Sequence, residues 1–144
     1  MEFESALVLG NNNNNNNNNW LTLVPWQSRK SLVWDVTVVC PLADSYVASA
    51  APEARSVAEQ AAVKNSNKYT ALTADFHFEP IAVEMLGPIN ESACDFLRLL
   101  AKKISQLSGD EWETAFLFQR LSILVQRFNS VLLHDSFIRD DCPE

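Results

Sequence analysis

Asp35 is the residue whose type and setting most invite chemistry. It stands in the middle of residues 32–40, LVWDVTVVC, a run otherwise dominated by β-branched and aromatic side chains. Such a run reads as a strand. Side chains alternate across a strand, so Trp34, Val36 and Val38 share one face, and Val33, Asp35, Thr37 and Val39 share the other. A carboxylate on an apolar face is costly unless it is paired or bound to a cation. One reading therefore gives Asp35 a metal. The other turns it to solvent on an edge strand or hydrogen-bonds it to a turn. Other familiar chemistry is missing from the sequence. His77 and His134 are isolated, and Cys40, Cys94 and Cys142 lack the spacing of zinc ligands. With three glycines and no Ser-His-Asp pattern, neither a phosphate loop nor a nucleophilic triad is expected.

The elements that must position Asp35 follow from the pattern around it. Residues 11–19 are an uninterrupted Asn tract, which has nothing to bury. Residues 1–19 are therefore expected to be disordered and outside the fold, with a prion-like interaction tract as the alternative. Leu21 to Val24 reads as a short strand ended by Pro25, and residues 27–31 as a turn. Together with 32–40 this makes a β-hairpin. A helix is expected from Pro52 to about Leu72, with an apolar stripe of Val57, Ala58, Ala61, Ala62, Tyr69 and Leu72. Residues 76–86 read as another strand, interrupted by Pro80, and Gly87-Pro88 as a turn. Asn90 suits the cap of a helix that runs to Leu107 and stops at Gly109. Asp110 and Glu113 have capping-box spacing before a last helix. That helix carries Leu117, Leu121, Leu124, Phe128 and Val131 as one seam, with Gln119-Arg120 and Gln126-Arg127 repeating seven residues apart. The acidic tail, 138–144, is expected to fray.

The fold class expected is α/β (α+β): a small mixed sheet, β-β-α-β, followed by two helices, spanning residues 20–137 as one domain. Its composition is globular. With 11 basic and 18 acidic residues the net charge is −7, which argues against tight nucleic-acid binding by this segment alone. It does not exclude a nuclease centre, which is itself built of carboxylates. No apolar run reaches the ~20 residues of a membrane span. The odd, scattered cysteines suit reduced thiols, so an intracellular setting is expected, nuclear or cytoplasmic. The first nine residues do not read as a signal peptide.

Four blocks, LTLVPW, LVWDVTVV, KYTALTADFHFEPIAVEMLGPIN and FLFQRLSILVQRFNSVLL, occur in an order that resembles the region downstream of reverse transcriptase in invertebrate non-LTR retrotransposon polyproteins. The resemblance covers residues 20 to about 137. It implies a restriction-endonuclease-like domain whose N-terminus is truncated. In that family an Arg-Pro-Asp-Gly tetrapeptide precedes the LTLVPW block. Its Asp and the Asp of DVTV are similar to the pattern of Pro-Asp on one strand and Asp/Glu-x-Lys on its hairpin partner. Two such carboxylates hold Mg²⁺, which polarises the scissile phosphate, while a Lys orients the attacking water.

Carried onto this chain, the resemblance makes Asp35 the second acid and a metal ligand. Thr37 stands where many such nucleases keep Lys. Related site-specific retrotransposon nucleases use a Lys on the following helix near a Tyr, which implies catalytic roles for Lys64, Lys68 and Tyr69. The alternative for both lysines is a solvated helix face. Glu84 is a further candidate metal ligand, or an exposed strand-end charge, and Glu59 reads as a surface charge. The first acid is missing: Pro-Asp-Gly falls on Asn18, Asn19 and Trp20. Asn offers a neutral oxygen where Mg²⁺ wants a hard anion. The polymerase's Tyr/Phe-x-Asp-Asp motif is absent, since Arg139-Asp140-Asp141 has no hydrophobic strand before it.

The function expected is that of a degenerate fragment of a retrotransposon polyprotein. It would be catalytically inactive and without tightly held Mg²⁺, and would meet DNA only in the context of the parent polyprotein. One alternative is a Mg²⁺-dependent DNA endonuclease module within a larger assembly. The other is a helical protein-interaction module, and apolar surface exposed by truncation would favour self-association.

Overall fold

A computed structural model of the chain describes residues 7–8 and 19–138. The elements run β1 (Leu7–Val8), β2 (Asn19–Gln27), β3 (Lys30–Val39), α1 (Val47–Ala50), α2 (Ser56–Lys68), a 3₁₀ turn (Thr70–Ala74), β4 (His77–Glu84), α3 (Glu91–Ser108) and α4 (Glu113–Ile138). The four strands form one sheet in the order β1-β2-β3-β4. The first two pairings are antiparallel and β3–β4 is parallel, so the sheet is mixed. Residues 1–19 do not stand wholly outside it: Leu7–Val8 pairs with β2, and Asn19 opens β2. The rest of the Asn tract and the acidic tail after Ile138 lie outside the described residues.

The β2–β3 hairpin closes through Ser28 and Arg29, at φ 49° and 63°, between the paired Gln27 and Lys30. Two consecutive left-handed residues make the primed turn whose twist matches the strands. Pro25 does not end β2, as expected from the sequence, but sits within it. The ladder shifts register on either side of Pro25, and the Leu32 amide donates to Thr22 Oγ1. A proline is tolerated where the ladder is already irregular.

Pro80 likewise does not interrupt β4, because β4 is the edge strand of the sheet. That edge is closed by Asn90, which is fully buried. Its backbone N–H donates to Ala82 O, its Oδ1 accepts from Ala82 N, and its Nδ2 donates to Pro80 O and Ser92 Oγ. Asn90 does occupy the N-cap position of α3, but its side chain serves the strand and makes no cap hydrogen bond.

The short α1 follows the hairpin, and the helix expected from Pro52 to about Leu72 runs instead from Ser56 to Lys68. Its start is set by tertiary partners. Arg55 turns the chain at φ 76°, Ser56 Oγ donates to Ser49 O, and Glu84 Oε1, from β4, accepts the Ala58 N–H. Glu59 repeats the device by accepting the Glu91 N–H at the start of α3. A carboxylate at a helix N-terminus satisfies an orphan amide and opposes the helix dipole. The core lies between α2 and the β3–β4 pair: Val39, Val57, Ala58, Ala61, Ala62 and Ala82. The alanines of α2 let the helix approach the sheet closely. α3 covers part of the opposite face, where Glu79 points and where Phe96 meets Trp26 of β2, with ring centroids 5.5 Å apart. α4 packs on α3, following the αL stop at Gly109 and an Asp110 carboxylate that accepts from Trp112 N.

Candidate functional site

The alternation of β3 puts Asp35 on the face covered by α2, not toward solvent. It is 8% exposed, while Val36 and Val38 on the opposite face are open. α2 then brings Asn65 over it. Asn65 Nδ2 donates to Asp35 Oδ2 at 3.1 Å and to Thr37 Oγ1 at 2.8 Å. One amide nitrogen thus spends both hydrogens joining two alternate residues of the same strand. Burial pushes the Asp35 carboxyl above its ordinary value of 3.8; the nearby Lys68 ammonium and the Val36 backbone amide pull the other way.

Lys68, in the last turn of α2, is the cation that acts on Asp35. Its Nζ also lies 4.9 Å from the centroid of the neighbouring Tyr69 ring. Tyr69 is buried and packs on Phe78, ring centroids 4.9 Å apart, and its hydroxyl has no hydrogen-bond partner among the described residues. Adjacent helical residues diverge by about 100°, and here Lys68 remains exposed while Tyr69 turns into the fold. Lys64, one turn earlier, is exposed on the helix. Glu84 is not brought to Asp35. It pairs with Val39 in the ladder, whereas Asp35 pairs with Pro80, so the two carboxylates are four register positions apart, about 13 Å of strand. Glu84 is committed to the amide of Ala58.

Across the hairpin, the Cα partner of Asp35 is Asn19. Directly opposed residues of an antiparallel pair have Cβ atoms about 5 Å apart, so position 19 is the one across the hairpin nearest to Asp35. The donor set at this point is one carboxylate, with the Asn65 amide and the Thr37 hydroxyl beside it. It does not fit Mg²⁺, which needs hard anionic oxygens and gives up its water reluctantly. Asn65 also directs a hydrogen-bond donor at the carboxylate that would receive the cation. Among the described residues no group of three or more His, Cys, Asp or Glu side chains is arranged to hold a metal.

Two features of this region were not anticipated from the sequence. Asn65 lies in the polar stretch KNSNK, where nothing marks one Asn as facing a strand thirty residues earlier. Glu79, 8% exposed, is buried under α3 with its Oε1 unpartnered among the described residues and its Oε2 3.9 Å from His77 Nε2. Burial raises its pKa above the ordinary 4.5, opposed by the Ser92 hydrogen bond and by His77, and reinforced by the like charge of Asp95. The alternation in β4 was hidden by Pro80, which made HFEPIAVE look like two pieces.

Comparison of the chain with protein families, with curated proteins and with solved structures finds no match. Among the described residues no helix is long and apolar enough to cross a membrane.

Proposed function

We propose that this chain is a non-catalytic domain of restriction-endonuclease-like design, related to the region downstream of reverse transcriptase in non-LTR retrotransposon polyproteins. The observation that carries this reading is the pairing of Asn19 with Asp35. In the resemblance, position 19 is where the first metal-binding acid belongs. In the ladder it is also the position opposite the second. That the motif position and the strand register meet at the same pair supports the reading. The electrostatic pull of Lys68, from α2, on the Asp35 carboxyl supports the reading of that lysine. The replacement of the first acid by Asn leaves one carboxylate for the metal, and that loss supports an inert centre. DNA contact then belongs to a larger polyprotein, as the net charge of −7 also suggests.

The test is calorimetric titration of Mg²⁺ and Mn²⁺ into the purified chain, its Asn19→Asp variant, and Asn19→Asp combined with Asp35→Ala. The native chain is expected to show no micromolar binding. Asn19→Asp is expected to gain binding at least tenfold tighter than the native chain, on the order of the 1–2 kcal/mol a second anionic ligand adds, and Asp35→Ala is expected to remove that gain. Micromolar binding by the native chain, lost in Asp35→Ala and accompanied by Mg²⁺-dependent DNA nicking, would instead establish an active endonuclease module.

A further inference from the structure

The last helix carries an apolar seam that the fold leaves half uncovered. Leu117 and Leu121 are half-buried against the domain, but Leu124, Phe128, Val131 and Leu132 are 45%, 63%, 49% and 58% exposed. The seam residues 117, 121, 124, 128 and 131 alternate spacings of four and three, the repeat by which one helix packs along another. Asp135 follows at the next position of the line and ends the apolar run. The usable seam is therefore about two heptads, roughly 21 Å.

The two flanks of this seam differ. On the inner side Phe118 and Val125 turn toward the domain and, with Leu121, Cys94 and Arg55, line a cleft of about 220 Å³. On the outer side stand Arg120, Arg127 and His134, seven residues apart and all exposed. Residues 115–134 contain no carboxylate, and neither arginine has an ion-pair partner among the described residues. In a chain of net charge −7 this is a local reversal of sign.

We propose that the α4 seam is a docking site for an amphipathic helix of another polypeptide, about 15 residues long, with an apolar stripe flanked by acidic side chains. Charge selects this occupant. A second copy of α4 laid antiparallel brings arginine row against arginine row. A parallel copy sets the arginines against the apolar flank that the domain already covers. An acidic helix places carboxylates between Arg120 and Arg127 on the open side. An anionic membrane would satisfy the arginines, but the chain's own net negative charge and Asp135 in the seam oppose it. This inference is independent of the nuclease reading.

The experiment uses the full chain and two fluorescein-labelled helical peptides with identical Leu stripes, one with Glu and one with Lys at every position flanking the stripe. Anisotropy is expected to show the Glu peptide binding at least roughly tenfold more tightly than the Lys peptide, since two or three exposed pairs switch from attraction to repulsion. Phe128→Asp, on the open surface, should abolish binding, and the double variant Arg120→Glu, Arg127→Glu should reverse the peptide preference while circular dichroism stays unchanged. The proposal is overturned by equal affinity for both peptides, by no binding of either, by Glu-peptide binding that survives Phe128→Asp, or by a preference that the double charge variant leaves in place. Two occupants would also displace it: a dimer in sedimentation that Phe128→Asp dissociates, and binding to equimolar phosphatidylserine–phosphatidylcholine vesicles that the same substitution removes.

Discussion

Glu79 and Asp35 occupy opposite faces of the same sheet, and burial pushes both carboxyl groups toward the neutral form. Their surroundings differ. Asp35 has an amide donor and a lysine to offset desolvation; Glu79 has Ser92 and His77 on one side of the balance, and on the other an oxygen unpartnered among the described residues and the like charge of Asp95. An acid whose folded pKa is raised contributes stability that is fully present below its unfolded value and is lost as pH rises through the folded value. For Glu79 that window opens at its ordinary 4.5 and extends upward. Glu79→Gln is therefore expected to stabilise the domain at pH 7 by on the order of 1 kcal/mol. The gain should shrink to nothing below pH of about 4.5. Urea unfolding of both proteins from pH 4 to 8 measures this; a difference independent of pH would assign the effect to packing and not to charge.

At the level of elements, the hairpin turn is the clearest conflict between residue and conformation. Ser28 and Arg29 hold positive φ without being Gly or Asn. A β-carbon in the left-handed region costs about 1–2 kcal/mol per residue, less for Asn. The double change Ser28→Asn, Arg29→Gly supplies the residues a two-residue primed turn favours. It is expected to raise stability by about 1 kcal/mol, after allowing for the greater freedom of Gly in the unfolded chain. The check is a higher urea midpoint at unchanged slope. Unchanged or lower stability would mean that the strain is already offset, for instance through the Lys30 ammonium that donates to Thr73 O. The helices show the opposite economy. Glu84 and Glu59, which looked like surface or site charges in the sequence, are used as caps supplied from other elements.

The molecule as a whole is unevenly held. α2, β3 and β4 share the buried alanine and valine core, while the outer end of α4 projects from it. The last described tie of α4 to the domain is Asn129, whose Nδ2 donates to Met85 O. Residues 131–136 are all exposed. Local opening is cheap where little apolar surface is buried. Amides of α4 beyond Asn129 are thus expected to exchange at least roughly 100-fold faster than those of Val57 to Ala62. Native-state hydrogen exchange reads this directly, and equal protection along α4 would show that the helix end is covered in solution.

Local pattern was enough to read much of this architecture. The strand around Asp35, its face alternation, most of the stripe of α2 and the stop at Gly109 follow from period, β-branching and glycine, which act over a few residues; the short β1 and α1 were not legible in this way. The same pattern identified Asp35 as the carboxylate needing a partner, whereas Lys64 and Lys68 were singled out only by the resemblance. Tertiary structure decided the rest, because those outcomes depend on residues far apart in the chain. Pro25 and Pro80 stay within strands because the ladder is irregular at one and the sheet ends at the other. The start of α2 depends on a carboxylate from β4, and the role of Asn90 on a bare strand edge beside it. The partner of Asp35 is Asn65, an amide brought across thirty residues of chain. The half-open seam of α4 is likewise a tertiary result: its apolar period was legible, but which half the domain covers depends on where α3 ends and how α4 leaves it.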